Sequence, residues 1–164
     1  MKPFVCRVAT RDDLERIWDK SIADNPGDDR YIRWKQTFIA DNEAGRAVTF
    51  VVLHGEEPVG EGTLILSTEC RAVRGRPALA NGREVANVNA LRIDRRFEGQ
   101  GHISALMRTL ERYAGAHGIT RLTIGVEAAE ARNLSIYLHW GYRTLVHHET
   151  DEGALVLYYE KTLS

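Results

Sequence analysis

The chain has 164 residues, 43% of them hydrophobic and 27% charged, which fits one globular domain with a packed core and excludes a disordered chain. A net charge of −1 gives no basic excess for nucleic acid, and the two cysteines, Cys6 and Cys70, form neither a disulfide framework nor a zinc pattern. No apolar run approaches the roughly 18–20 residues that span a bilayer, and the start, Met1 to Arg7, lacks the apolar core of a leader. The expectation is a cytoplasmic protein without membrane, nucleic-acid or metal partners.

Phe4 to Ala9 alternates as a first strand. Thr10 then stands ahead of Asp12 and Asp13 as a helix N-cap with acids in the first turn. Leu14, Ile17, Trp18, Ser21 and Ile22 recur at helical spacing, and Asn25-Pro26-Gly27 ends that helix. A second helix is expected from about Asp28-Asp29, with Tyr31, Ile32, Trp34, Lys35 and Phe38 along its stripe. Ala47 to Leu53 is rich in β formers, Gly55 to Pro58 reads as a hairpin turn, and Val59 to Ser67 returns as a strand. Thr68 to Gly82 reads as an irregular connection, with Arg71, Arg74 and Arg76 in solvent. Glu84 to Ile93 is a further strand, with Val85, Asn87, Asn89, Leu91 and Ile93 on one face and Ala86, Val88, Ala90 and Arg92 on the other.

The next stretch, Arg95 to Met107, runs from this strand through two glycines into a helix. Ile103, Leu106, Met107, Leu110 and Tyr113 form its apolar stripe, and His117-Gly118 ends it. Arg121 to Val126 is a buried-looking strand, and Arg132 to Trp140 a short helix stopped by Gly141. Tyr142 to His148 and Ala154 to Lys161 read as two strands joined through Asp151-Glu152-Gly153. The order β-α-α-β-β-β-α-β-α-β-β predicts one domain, residues 1–164, of α/β (α+β) class with helices on the faces of a mixed sheet.

Gly99 and Gly101, one residue apart, open the helix after a strand, which is where backbone amides hold phosphate. A Walker loop needs a Lys-Ser/Thr pair that is missing here. A dinucleotide fingerprint needs a third glycine where Ser104 stands. A plain strand-to-helix turn remains open on these residues alone.

Three features occur together in order: the strand Asn89 to Ile93, the glycine turn with its helix, and Tyr137-Leu138-His139-Trp140-Gly141-Tyr142. In this the segment Val88–Tyr142 resembles the GCN5-related N-acetyltransferase (GNAT) superfamily. The family's Gln/Arg-x-x-Gly-x-Gly/Ala loop matches literally at Arg96 to Gly101. Counting from Ile93 and from Leu106-Met107 places it instead on Glu98-Gly99-Gln100-Gly101-His102-Ile103, with Gly101 at the key position. Glu98 then replaces the usual Gln or Arg, and Ile103 the last small residue.

The resemblance implies a mostly antiparallel seven-stranded sheet with about four helices, splayed between strands 4 and 5. It implies acetyl-CoA as co-substrate. The backbone of Leu91, Arg92 and Ile93 would bond pantetheine, and the turn Glu98 to Ser104, with His102 in it, would hold the pyrophosphate. Tyr137 would protonate the leaving thiolate. Glu127, matching an acidic residue common in the family, is the first candidate for the base, with a water relay equally open. Asn133, one turn before Tyr137, is a candidate contact to CoA, since the usual asparagine position carries Glu130. The acceptor is expected to be a primary amine; the acidic turn Asp24 to Asp29 is either a solvated turn or an attractor for it. Of His147 and His148, which as strand neighbours face opposite sides, at most one can serve as an acid–base group. An acyl-CoA sensor without turnover and a protein acetyltransferase are the alternative readings, and a monomer or homodimer fits either.

Overall fold

The computed structural model describes residues 2–164. Its seven-stranded sheet has the order β1-β2-β3-β4-β5-β7-β6. The chain divides into two compact units, one joining the residues up to Leu64 with Ala90–Leu110, the other joining Ile65–Asn89 with Glu111–Ser164.

The first unit begins with β1 (Phe4–Val8), followed by α1 (Arg11–Asp24), α2 (Arg30–Glu43), β2 (Ala47–His54) and β3 (Glu57–Ile65). The expected cap of α1 is a full capping box. Thr10 Oγ1 accepts from the Asp13 amide at 3.1 Å, and Asp13 Oδ2 accepts from the Thr10 amide at 2.8 Å. Ile17 of α1 packs with Val51 and Leu53 of β2, and Ala9 closes against them. Asn42 ties α2 down by donating to Phe38 O and Thr49 Oγ1 and accepting from the Thr49 amide. The Thr49 hydroxyl in turn meets that of Thr63 at 2.8 Å, so a buried polar row is fully bonded. The predicted stripe of α2 is shifted: Ile32 is 47% exposed, and Ile39, outside that stripe, is buried.

The second unit contains β5 (Arg121–Glu127), α4 (Ala131–His139), β6 (Thr144–Asp151) and β7 (Ala154–Thr162). The segment 68–82 is the irregular connection expected, with Arg71 and Arg74 exposed, but it is pinned at intervals along its length. Cys70, Val73, Leu79 and Ala80 are buried, and Arg76 bonds Glu149 and the Ala72 carbonyl. Thr123 Oγ1 donates to Leu79 O at 2.7 Å. Arg76 leaves solvent because its guanidinium finds a carboxylate on β6, a partner 73 residues away that no local pattern announces.

β4 (Val85–Ile93) and α3 (His102–Ala116) each contribute to both units. The parallel β4–β5 ladder runs from Val85↔Arg121 to Val88↔Ile124, while β4 continues to Ile93 and β5 to Glu127. Ala90 has φ +54. A left-handed residue interrupts the pleat, so the strict alternation read along the whole strand does not survive it. Before Ala90, Asn87 Nδ2 bonds Thr123 Oγ1 at 3.0 Å. Beyond it, Leu91 lies against Gly62, beside Leu106 and Leu110 of α3.

Tyr142 lies before β6 rather than in it and is fully buried. Its amide donates to Tyr137 O at 3.0 Å and that of Gly141 to Leu138 O at 3.1 Å. With Gly141 at φ +102, this is a Schellman cap. The sequence Tyr-x-x-x-Gly-Tyr therefore encodes a helix stop first. Among the described residues no helix is long and apolar enough to cross a membrane.

Candidate active site

The turn at the start of α3 is built by two residues in the left-handed region. Gly99 has φ +75 and Gly101 φ +86, and a Cβ at either would meet nothing within 4 Å. The glycines are required by conformation, not by space. A 3-10 turn, Arg95–Phe97, leads in, capped by Asp94 Oδ1, which accepts from the Arg96 amide at 3.0 Å. Arg96 and Lys20 grip the Asp94 side chain, and the bonds from Arg96 hold that carboxyl well below the usual range.

The first bond of α3 runs from the Ala105 amide to Gly101 O at 3.0 Å. The amides of His102, Ile103 and Ser104 stand ahead of it, in the turn that has no intrahelical acceptor. Such amides, at the positive end of the helix dipole, suit a phosphate. Side chains contribute less than the sequence offered. The Ser104 hydroxyl accepts from Arg108 at 2.8 Å. The His102 ring packs on Phe4 with centroids 4.1 Å apart, and its Nε2 is buried without a partner. Gln100 and Glu98 are exposed. The Arg92 side chain is committed to Glu61, through Nε at 2.8 Å and Nη2 at 3.0 Å. That side chain is therefore not free for a ligand along β4.

In the second unit, Tyr137 sits in α4 with its ring 5.8 Å from that of Trp140. Its carbonyl is fixed by the Tyr142 amide. Burial, reinforced by the Glu130 carboxylate, raises the Tyr137 phenol above its ordinary range, so it stays protonated at neutral pH. Asn133 does not stand free beside it: its Nδ2 donates to Glu130 Oε2 at 2.8 Å. The candidate contact Asn133 is thus bonded to the residue that stands at the usual asparagine position.

Glu127 is exposed at the end of β5, opposite Val156 of β7. Val156 is in turn opposite Glu149 of β6, and the row before it holds Gly125, Tyr158 and His147. Directly opposed residues share a face, so Glu127, Tyr158, His147 and Glu149 share one. An added Cβ at Gly125 would fall 2.7 Å from the Tyr158 ring. Burial raises the Tyr158 phenol, while nearby Arg76 opposes that shift. The Glu149 carboxyl is lowered, because Arg76 and His147 outweigh the burial that would raise it. Of the two adjacent histidines, His147 is half-buried, 3.3 Å from Glu149 Oε1, and His148 is exposed. Tyr158 and Glu149 carry no motif; only strand register brings them to this face. In the acidic turn, Asp28 is bonded by Arg30, which keeps its carboxyl below the usual range. Among the described residues no group of three or more His, Cys, Asp or Glu is placed to hold a metal.

Known proteins share this fold. The structure is similar to the ribosomal-protein-S18-alanine N-acetyltransferase of Escherichia coli, with a TM-score of 0.72 at 14% identity over 99% of this chain and 95% of that one. It is similar to a PaiA N-acetyltransferase of Thermoplasma acidophilum solved in complex with coenzyme A, with a TM-score of 0.65 at 15% identity over 98% and 99% of the two chains. An IAA acetyltransferase of Bacillus cereus gives 0.65 at 14% identity over 98% and 100%. These likenesses establish the fold. No curated protein matches the sequence. The family model described as "Acetyltransferase (GNAT) family" matches residues 9–142, which takes in the capping box of α1, the glycine turn and the Tyr137 cap together, and so the chain belongs to the GNAT acetyltransferase family.

Proposed function

We propose that this acetyltransferase moves the acetyl group of acetyl-CoA to a primary amine of a small molecule, by direct attack within one ternary complex, in a single domain of residues 1–164. The observation that carries the reading is the α3 turn, where Gly99 and Gly101 hold left-handed backbone and leave the first-turn amides ready for a pyrophosphate. Along β4, the backbone of Leu91 and Ile93, beyond the β5 ladder, takes the pantetheine amides. The residue types in the turn do not oppose this, since the donors are main-chain groups and Glu98 is exposed.

The chemistry asks for three proton or charge movements. The amine attacks as a neutral nucleophile, so its proton passes to Glu127 or to a water it holds. Negative charge on the thioester oxygen is met by a strand N–H. As the C–S bond breaks, Tyr137 gives its phenolic proton to the sulfur. A phenol carries its proton at neutral pH, so Tyr137 has one to give.

The test is release of free CoA thiol from acetyl-CoA across a panel of amines, with Tyr137→Phe alongside. Wild type is expected to release thiol with at least one small amine. The variant should lose roughly 10²–10⁴-fold in kcat with acetyl-CoA binding kept. Tight binding without release for any amine would instead support a sensor, and acetylation confined to peptides would support a protein acetyltransferase.

A further inference from the structure

Resting on the acetyl-CoA reading above, we propose that Glu61 is a positioning residue: through Arg92 it sets the end of β4 at which the cofactor binds. Arg92 lies between Leu91 and Ile93, the two residues whose backbone takes the pantetheine. Its guanidinium meets both oxygens of Glu61, Nε to Oε1 at 2.8 Å and Nη2 to Oε2 at 3.0 Å. A two-pronged pair of this kind fixes orientation as well as distance. Glu61 is only 7% exposed.

The neighbours of Glu61 make the other half of the grip. A Cβ on Gly60 would lie 2.8 Å from Ile93 Cδ1 and 2.9 Å from Arg92 O, and one on Gly62 would lie 2.9 Å from Leu91 Cδ1. Gly60-Glu61-Gly62 therefore admits Leu91 and Ile93 at closest approach, while the residue between them holds Arg92. The Asp94 amide closes the far end on Val59 O at 2.6 Å.

On this side of Ala90 the segment's neighbour in the sheet is β3, the strand that carries Glu61. Ala90, at φ +54, breaks the pleat just before the segment, and the β5 ladder ends at Val88. Residues 91–94 are therefore not held by the register of residues 85–88. Glu61 is buried but the Arg92 side chain is 40% exposed, and an ion pair so placed is a weak device for stability. Its directional geometry is what an apolar pair lacks. The other charges around the pair are those of Lys20, Asp24 and Asp94, with Lys20 bonded to Asp94 at 3.1 Å.

The experiment compares wild type with Glu61→Ala, the double variant Glu61→Met/Arg92→Met, and Asp13→Asn. The last removes the charge that Asp13 pairs with Arg7 in the same unit and leaves β4 alone. Three quantities are measured: melting temperature, acetyl-CoA Kd by calorimetry, and amide hydrogen exchange of residues 91–94. E61A is expected to weaken acetyl-CoA about tenfold, the scale of a small misplacement, and to raise exchange at residues 91–94. The double variant should regain melting temperature without regaining Kd, and D13N should lose melting temperature with Kd unchanged. A Kd that tracks melting temperature across all the variants, or one unmoved in E61A, overturns the proposal. If wild type fails to bind acetyl-CoA, the functional reading falls. The exchange arm still decides whether Glu61 holds β4: unchanged protection of residues 91–94 in E61A sinks that as well.

Discussion

Gly101→Ala isolates the turn on which the cofactor reading stands. The position has φ +86, and an added Cβ meets nothing within 4 Å. No clash enters, so the cost is that of holding an alanine left-handed, about 1–2 kcal/mol. For a chain of this size that is roughly 2–8 °C of melting temperature. Gly153, in the β6–β7 turn, is a matched control, with φ +84 and nothing within 4 Å. Gly153→Ala should lose the same stability by thermal denaturation. The two variants should part in calorimetric titration with acetyl-CoA. Relief of the strain at residue 101 turns the first amides of α3 out of register. We expect a Kd at least about tenfold weaker, a loss of ~1.4 kcal/mol, against no change in G153A. Equal affinities in both variants and wild type would refute the assignment of the pyrophosphate to this turn.

Gly141→Ala should cost about 1–2 kcal/mol in urea unfolding, because φ is +102 there and the Lys161 side chain lies 3.3 Å from the new Cβ. It should also lower kcat, since the Schellman cap holds Tyr137, and stability lost at full kcat would separate the cap from the acid. Asp13 carries an acid-stability prediction. Burial raises its carboxyl, but the bonds from Arg7 and Thr10 outweigh that and leave it below the ordinary value. A depressed carboxyl stabilises the fold above its unfolded pKa of about 4 and loses that contribution as pH falls through the lower folded value. Asp13→Asn should therefore be less stable at neutral pH and fall less steeply than wild type below about pH 4. Parallel curves in urea unfolding against pH would count against the ion pair.

Where a local rule decided the outcome, the sequence was readable. Thr10 with Asp13 forms a capping box because both partners lie within one turn. The glycine turn is left-handed at Gly99 and Gly101 where α3 begins, as two glycines ahead of a helical stripe suggest. Long-range partners were not readable. Within residues 68–82 Arg71 and Arg74 are exposed, as the composition suggests, but Arg76 reaches Glu149 on β6. Ala90 carries no mark of its positive φ, since alanine is neither a turn former nor a glycine. Tyr142 has the β propensity of a strand residue, yet its amide is spent on the α4 cap and its hydroxyl donates to Glu111 at 3.0 Å. Glu61 passes unnoticed in a strand until Arg92 is seen to close on it.

The most direct test of the central claim is a crystal structure of the protein with coenzyme A bound. The account predicts the pyrophosphate on the amides of Gly99 to Ser104, the pantetheine amides on the backbone of Leu91 and Ile93, and the sulfur within hydrogen-bond reach of the Tyr137 hydroxyl. A pyrophosphate bound away from the α3 turn, or a sulfur remote from Tyr137, would contradict it.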